Sequence, residues 1–143
     1  MQSSCTPPAS RGARAGLAAR APAARLAALM PQLPDHEILR APEIGTAMVR
    51  GRMGGTGDAF NLGEVTVTRA SVRLADGAVG HGYVQGRDRG HALRAAILDA
   101  LGTGAEPILA ALAAEEEQRR AARAARAAAT KVEFFTLVRG EDA

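Results

Sequence analysis

Alanine supplies almost half of the apolar residues in this chain, and this limits the hydrophobic core that the chain can build. Of the 143 residues, 33 are alanine, whereas leucine, isoleucine, valine and phenylalanine together number 28. Large aromatic side chains are scarce, since the sequence has three phenylalanines, one tyrosine and no tryptophan. Such a chain is long enough for one domain with a thin core. We therefore expect it to bury further surface against partner subunits.

The positive charge of the chain is concentrated near its N-terminus. The formal net charge is +3 and the pI is about 10.0, yet residues 1–26 hold four arginines and no acidic residue. The remainder of the chain is close to neutral, and it offers few aromatic side chains on which nucleic-acid bases could stack. This distribution argues against nucleic-acid binding. If the chain did bind nucleic acid, the N-terminal arginines and those of residues 119–126 would contact the phosphates, and the affinity would fall steeply with salt.

The sequence predicts a cytoplasmic protein with a flexible leader. Residues 1–16 are rich in serine, proline, alanine and arginine and lack the continuous apolar segment of an export signal. Residues 17–143 then form a single domain. Cys5 is the single cysteine, which excludes an internal disulfide and a multi-cysteine metal site. No run of about 18 consecutive apolar residues is present to span a membrane.

Three segments have the apolar periodicity of helices. Residues 17–30 predict a helix that Pro22 either starts or kinks. Residues 89–101 predict a second helix, with Asp88 as its N-cap and an apolar stripe formed by Leu93, Ile97 and Leu101.

Residues 107–129 predict a long helix whose second half is mostly arginine and alanine. Favourable ion pairs are expected on it between Glu115 and Arg119 and between Glu116 and Arg120. This helix is either an arm that contacts a partner or a solvated helix that its own ion pairs stabilise.

Between residues 37 and 85 the apolar period changes to two, which indicates β-strands. Asp76 and Gly77 form a hairpin signal between the last two of these strands. Gly80 and Gly82 share one face of the last strand, where another backbone could approach closely. The fold class is α+β: a mainly antiparallel sheet of four to five strands, packed with helices, and one long C-terminal helix before a final strand. The expected strands are residues 37–41, 45–52, 64–74, 78–85 and 131–138.

The segment Arg50-Gly-Arg-Met-Gly-Gly-Thr-Gly57 places two arginines before a glycine-rich loop. Proteins often hold phosphate-like anions with fixed cations beside backbone N–H groups that no side chain shields. In the alternative interpretation, the loop only connects two strands of a hairpin and binds no ligand. The loop is not a Walker A motif, because no Gly-Lys-Ser/Thr follows it and the only lysine is Lys131. The candidate phosphate or partner contacts here are Arg50, Arg52, Gly54, Gly55, Thr56 and Gly57.

A second cluster, Val84-Gln-Gly-Arg-Asp-Arg-Gly-His91, lies where a strand leads into a helix. Arg87 and Arg89 flank the helix N-terminus, whose dipole and N–H groups favour anions. In the alternative interpretation Asp88 is only an N-cap, and the arginines pair with carboxylates of a partner. The candidate contacts are Arg87, Asp88 and His91. His91 is a candidate phosphate contact or proton donor, although a lone histidine without a positioned serine, cysteine or aspartate is usually neither.

The sequence offers no catalytic constellation. The three histidines lack the spacing of metal ligands, and no acidic pair stands where acid–base chemistry would need it. Gly80-His-Gly82 begins like a dinucleotide-binding fingerprint, but Gln85 occupies the place of the third glycine. We therefore expect no catalytic residue and no metal site, and we favour a binding or scaffolding subunit over an independent enzyme.

Five segments, in this order, resemble the G subunit of the bacterial carbon–phosphorus lyase core complex. The resemblance covers residues 37–140 and does not extend to about the first 25 residues. The segments are Glu43-Ile-Gly45, the arginine–glycine segment that ends at Gly57, Phe60-Asn-Leu-Gly-Glu-Val-Thr-Val-Thr-Arg69, Val84-Gln-Gly-Arg-Asp88 with His91, and Val132-Glu-Phe-Phe-Thr-Leu-Val-Arg-Gly140.

The resemblance implies a role in organophosphonate catabolism. Members of that family assemble with the H, I and J subunits in the cytoplasm. With the H, I and L proteins they act to displace adenine from ATP with methylphosphonate, which yields ribose 1-methylphosphonate 5-triphosphate. The family implies no catalytic residue and no cofactor bound by this chain, ATP being a substrate of the complex. Self-association of the isolated chain stays open.

Overall fold

A computed structural model describes residues 10–132 of the chain. These residues form an α+β fold in which helices precede and follow an antiparallel sheet. Short 3-10 turns connect the first two strands and the last two helices. The elements are α1 (Arg11–Arg20), α2 (Ala23–Leu29), β1 (His36–Arg52), β2 (Ala59–Leu74), β3 (Val79–Gln85), α3 (Arg89–Leu101) and α4 (Glu106–Ala129).

The sheet of the described residues has three strands in the order β1-β2-β3, rather than four to five. The two strands predicted over residues 37–41 and 45–52 are one strand, β1, because bulges on either side of Arg40 absorb Ala41 and Pro42 without ending the pairing with β2. β1 is an edge strand, where a proline is tolerated. The predicted closing strand over residues 131–138 lies almost entirely outside the described residues and stays a prediction.

The predicted hairpin between β2 and β3 is confirmed. Leu74 and Ala78 close it with a backbone hydrogen bond of 2.8 Å, and Gly77 adopts a positive φ of 88°. This angle is one that glycine adopts without strain.

The glycine face of β3 meets α3 at backbone distance, as the sequence predicted. A Cβ on Gly80 would lie 2.0 Å from Ala96 O, and a Cβ on Gly82 would lie 2.0 Å from Ala92 O. The helix side that touches the sheet is therefore made of alanine. Ile97 of the predicted apolar stripe is buried nearby, whereas Leu93 and Leu101 are only partly buried. Small residues on both elements allow this close packing.

The N-terminal helical segment begins earlier than the sequence predicted and is divided in two. The Ser10 hydroxyl accepts a hydrogen bond from Ala13 N at 3.2 Å, so α1 begins at Arg11 inside the segment expected to be a leader. Pro22 forces Ala21 out of the helical conformation, with ψ at 146°, and stands as the N-cap residue of α2. Residues 1–9 lie outside the described residues, and for them the leader stays a prediction.

The core lies between the sheet and the four helices α1, α2, α3 and α4. Of the 19 buried apolar residues in the described part of the chain, eight are alanine. The core is thin, as the composition predicted. Its largest fully buried apolar side chains are Leu26, Val72, Val84, Ile97, Leu109 and Leu112.

By length and composition, one stretch of the described residues, Arg89–Ala129, is apolar enough to cross a membrane. The stretch comprises α3 and α4, which the turn Gly102–Ala105 divides. Much of α3 is buried in the protein core. We attribute the apolar composition to the packing of these two helices.

Candidate functional site

The hairpin formed by β1 and β2 extends well beyond β3. β3 ends at Gln85, which pairs with Val67, so residues 46–66 form a two-stranded ribbon, here called the hairpin arm. The ribbon is exposed along most of its length. An isolated two-stranded ribbon is marginally stable in water at best. Its exposed large apolar side chains are Met48 (52% exposed), Met53 (68%), Phe60 (42%) and Leu62 (67%).

The glycine-rich loop lies at the tip of the hairpin arm, and two of its amides are engaged within the loop. Thr56 N and Gly57 N both donate to Met53 O, the second at 2.8 Å. Arg52 Nη1 donates to Gly57 O at 3.1 Å. These two N–H groups therefore do not point to a ligand, in contrast to the hypothesis of an anion cradle. With these two amides engaged, the loop fits the alternative interpretation, a connection between two strands of a hairpin.

The other predicted tip residues serve the turn or remain exposed. Gly54 and Gly55 have positive φ angles of 57° and 81°, which explains why glycine stands at both positions. Arg50 is exposed and makes no ion pair with residues 10–132. Its guanidinium is the part of the tip that is available to a partner.

The second predicted cluster lies at the start of α3, where Asp88 is confirmed as the N-cap. Its carboxylate accepts a hydrogen bond from His91 N at 2.8 Å, and its carbonyl accepts one from Ala92 N at 3.2 Å. A carboxylate thus already occupies the position at which a phosphate would dock. Arg87 and Arg89 are exposed beside it.

His91 lies in the core rather than on a binding surface. It is 7% exposed, and its Nε2 lies 2.9 Å from Ala18 O. Because a carbonyl oxygen can only accept, Nε2 carries the hydrogen and donates it to α1. His91 therefore ties α3 to α1, and this position does not suit the phosphate contact or proton donor that the sequence suggested.

The structure does not bring the two predicted clusters together. Gly86 N donates to Thr66 O at 2.8 Å, so the start of α3 lies near the base of the hairpin arm. The tip begins at Ala59, seven residues further along β2. At about 3.4 Å per residue, roughly 23 Å separate the two places. One small ligand cannot contact both.

A groove that sequence reasoning missed lies between the end of α1 and α4. Its volume is about 440 Å³, and four of the five side chains around it are arginines. Residue spacing could have indicated the α4 wall, because positions 116, 119, 120 and 123 share one side of a helix. The contribution of α1 depends on tertiary packing. We call this site the arginine groove; it is lined by Arg20, Glu116, Arg119, Arg120 and Arg123.

Glu115 and Glu116 of α4 pair with α2 and α1, and the pairs predicted for them within α4 are wrong. Arg20 Nε lies 2.9 Å from Glu116 Oε1, and Arg25 Nε lies 2.7 Å from Glu115 Oε1. The physical reason is that α1 and α2 bring arginines to the inner side of α4. The hydrogen bond from Arg20 also holds the pKa of Glu116 below its usual value, so this carboxyl is ionised at neutral pH.

Two arginines of the groove are left without a carboxylate. Arg119 and Arg123 make no ion pair with residues 10–132, and Arg120 reaches only Glu117, at 3.9 Å. Among the same residues, no group of three or more histidine, cysteine, aspartate or glutamate side chains is arranged to hold a metal ion. The chemistry that the arginine groove offers is therefore cationic.

Comparison with known proteins gives the family of the chain. Residues 9–140 match the family model described as "Phosphonate metabolism protein PhnG", a range that includes the hairpin arm, the start of α3 and the arginine groove. The match therefore begins earlier than residue 37, and the prediction that the resemblance leaves out the first 25 residues is wrong from residue 9 onward. A relative from Rhizobium meliloti (strain 1021), the alpha-D-ribose 1-methylphosphonate 5-triphosphate synthase subunit PhnG, is 48% identical over 115 residues, which cover 76% of this chain and 74% of the relative. The resemblance that the five sequence segments indicated is confirmed, and the chain belongs to the PhnG family of phosphonate metabolism proteins.

Proposed function

We propose that this chain is a subunit of alpha-D-ribose 1-methylphosphonate 5-triphosphate synthase and acts only together with partner subunits. The support is the family match and the name of the relative from Rhizobium meliloti. In the reaction, a phosphonate oxygen forms a bond to C1′ of the ATP ribose while the bond from C1′ to adenine breaks. The partners are the H, I and L proteins for this step, with the J subunit in the same cytoplasmic complex.

The hairpin arm is the observation that carries a subunit role. Phe60 and Leu62 are exposed on the part of the hairpin arm that extends beyond β3. Exposed apolar side chains on a marginally stable ribbon are characteristic of a surface that a partner buries. The thin, alanine-rich core agrees with this, because partner contacts would add the burial that the chain lacks.

A positioning role, rather than catalysis, is the part of the reaction that this chain fits best. We propose that Arg50 and Arg52 at the tip, or Arg87 beside the start of α3, contact a partner loop or a phosphate of the substrate. The guanidinium groups carry this proposal, because the Thr56 and Gly57 amides are bonded to Met53 O. Guanidinium groups bind carboxylates and phosphates with paired hydrogen bonds.

Nucleic-acid binding remains the alternative, and the ion pairs of the N-terminal helices weigh against it. Three of the arginines that made this end basic are paired with carboxylates: Arg11 with Asp99, Arg20 with Glu116 and Arg25 with Glu115. These pairs reduce the positive charge that the segment can offer to a phosphate backbone.

Co-expression with the H, I, J and L proteins tests the proposal. We expect the chain to elute in one stable complex with them, and the preparation to release adenine from ATP when methylphosphonate is added. Omission of this chain alone should abolish adenine release. A chain that elutes alone, while the other subunits release adenine without it, would contradict the proposal. Tight DNA binding that falls steeply with salt would favour the alternative.

A further inference from the structure

We propose that the arginine groove between α1 and α4 binds a polyphosphate group, such as the triphosphate of a nucleotide. The inference deepens the proposed function and rests on it for the identity of the nucleotide. The groove itself is argued from its charges, its walls and its shape.

The net positive charge of the groove favours a compact anion as its ligand. Four guanidinium groups and one carboxylate line it, which leaves a net charge of +3. Glu116 is already held by Arg20 through two hydrogen bonds, of 2.9 Å and 3.4 Å. Arg119 and Arg123 stand one helical turn apart, and like charges at this spacing destabilise a helix unless an anion neutralises them.

Several arginines of the sheet show the carboxylate partners that the groove lacks. Arg40 and Arg69 share Glu43, and Arg73 pairs with Glu37, whereas Arg50 and Arg52 make no ion pair with residues 10–132. Arg119 and Arg123 face a common groove without one. A ligand with several negative charges would supply the missing partners.

The walls of the groove are anchored in the core. Arg20 follows the buried residues Leu17 and Ala18 of α1, and the part of α4 that precedes Glu116 is fixed by the buried Leu109 and Leu112. Arg20 is further oriented by its hydrogen bonds to Glu116. The site therefore has one pre-oriented guanidinium and three others on the exposed second half of α4, whose first half is packed in the core.

The shape and lining favour a phosphate chain over a nucleic-acid strand. The volume of about 440 Å³ lies within the range of small-molecule sites, roughly 300–1,000 Å³. No aromatic side chain lines the groove, so it offers no surface on which bases could stack. Guanidinium groups suit phosphate oxygens, because their planar N–H pairs bind two oxygens at once.

Titration of the full chain with sodium tripolyphosphate and with ATP, followed by calorimetry, tests the inference. We expect saturable binding of one tripolyphosphate per chain, with ATP binding within a few fold of the same affinity. The double variant Arg119→Gln/Arg123→Gln should weaken both at least tenfold. Arg126→Gln is the matched control, because it removes one exposed arginine of the same helix that does not line the groove, and it should change affinity less than twofold.

Three outcomes would overturn the inference. They are absence of saturable tripolyphosphate binding, ATP binding without tripolyphosphate binding, and equal weakening by the Arg126→Gln control. Saturation by an acidic peptide alone would also overturn it and assign the groove to a protein partner. The same variants are then co-expressed with the partner subunits. If a chain that binds no tripolyphosphate still assembles normally, the inference about the groove is refuted and the proposed function stands. If the unmodified chain fails to assemble with the partner subunits, the proposed function itself is refuted.

Discussion

The Asp99 carboxylate on α3 and the Arg11 guanidinium on α1 form a two-point ion pair that closes the free edge of β3. Arg11 Nε donates to Asp99 Oδ1 at 2.9 Å, and Arg11 Nη2 donates to Oδ2 at 2.7 Å. The same two groups bind the strand: Asp99 Oδ2 accepts from His81 N at 2.9 Å, and Arg11 Nη2 donates to Val79 O at 2.9 Å. Among residues 10–132 no strand pairs with this edge of β3, and the ion pair binds two of its backbone groups.

The pair predicts a loss of stability in acid. Burial acts to raise the pKa of Asp99, but the hydrogen bonds from Arg11 and from the His81 amide outweigh it and hold the pKa below its ordinary value of 3.8. A carboxyl whose pKa is lowered by folding stabilises the protein above its unfolded-state pKa. This contribution is lost as the pH falls from about 4 through the folded-state pKa. Urea unfolding between pH 7 and pH 2 measures it.

Asp99→Asn removes the charge and is expected to lower the free energy of unfolding at pH 7 by about 2 kcal/mol, the scale of a hydrogen bond to a charged group. The variant should also lose part of the decline in stability below about pH 4. Asp35→Asn, at an exposed position before β1, is the control and should leave both quantities unchanged. Equal stability of the Asp99 variant and the unmodified chain at pH 7 would contradict the role of the pair.

Gly80→Ala is expected to destabilise the fold, because the new Cβ would lie 2.0 Å from Ala96 O and 2.4 Å from Ala100 N. The clash is with backbone atoms that cannot rotate away, so we expect a loss of about 3 kcal/mol or more. Thermal unfolding measures it. Gly45→Ala, where nothing lies within 4 Å of the new Cβ, is the matched control and should be neutral or slightly stabilising. A stable Gly80 variant would show that α3 can shift away from the sheet.

His91→Phe is expected to leave Ala18 O without its donor and to lower the free energy of unfolding by about 1–3 kcal/mol. Chemical unfolding of the full chain measures this loss. Adenine release by the assembled complex should persist under conditions in which the variant stays folded, because the ring lies in the core. A variant with unchanged stability and abolished adenine release would instead restore the proton-donor hypothesis.

The double variant Phe60→Ser/Leu62→Ser is expected to weaken assembly without unfolding the chain. Both side chains are exposed on the hairpin arm, so the stability of the isolated chain should change by only about 0.5 kcal/mol per site. Size-exclusion chromatography of the co-expressed subunits measures assembly. Ile38→Ser is the control, since Ile38 is also half exposed but lies where β3 still accompanies the hairpin. If both variants lost assembly equally, the loss could not be assigned to the hairpin arm, and the prediction would be contradicted.

Arg50→Gln/Arg52→Gln tests the tip of the arm. We expect weaker assembly or at least tenfold slower adenine release, because the change removes two exposed cations and the Arg52 bond to Gly57 O. Adenine release is followed by chromatography of the reaction. Arg73→Gln, near the other end of β2, is the control and should have little effect. Normal assembly together with normal adenine release in the double variant would refute the role proposed for these residues.

Local signals in the sequence predicted the parts of the fold that short segments determine. Asp88 and the periodicity after it gave α3 its observed bounds, and Asp76 with Gly77 gave the hairpin between β2 and β3. The bare face formed by Gly80 and Gly82 indicated the close approach of a helix. Each of these signals depends on residues that lie next to one another in the chain or at one helical spacing.

The sequence could not predict features that depend on distant residues. Two strands were predicted over residues 37–41 and 45–52, but pairing with β2 continues between them with bulges, so they form the single strand β1. Glu116 found a partner in Arg20 of α1 rather than in its own helix, and the same packing forms the arginine groove. At the candidate site, the loop glycines were predicted as phosphate or partner contacts, with a hairpin connection as the alternative, and periodicity could not reveal that Met53 O engages two of the amides.

The backbone contact between α3 and β3 also couples two parts of this chain. Ala96 touches the strand with its main chain, and Asp99 projects from the next turn towards the strand edge. Any enlargement at Gly80 or Gly82 would move the helix away from the strand and withdraw the carboxylate from both its partners. The distance between helix and strand therefore controls the ion pair, so that a substitution inside the core would be felt at the edge of the sheet.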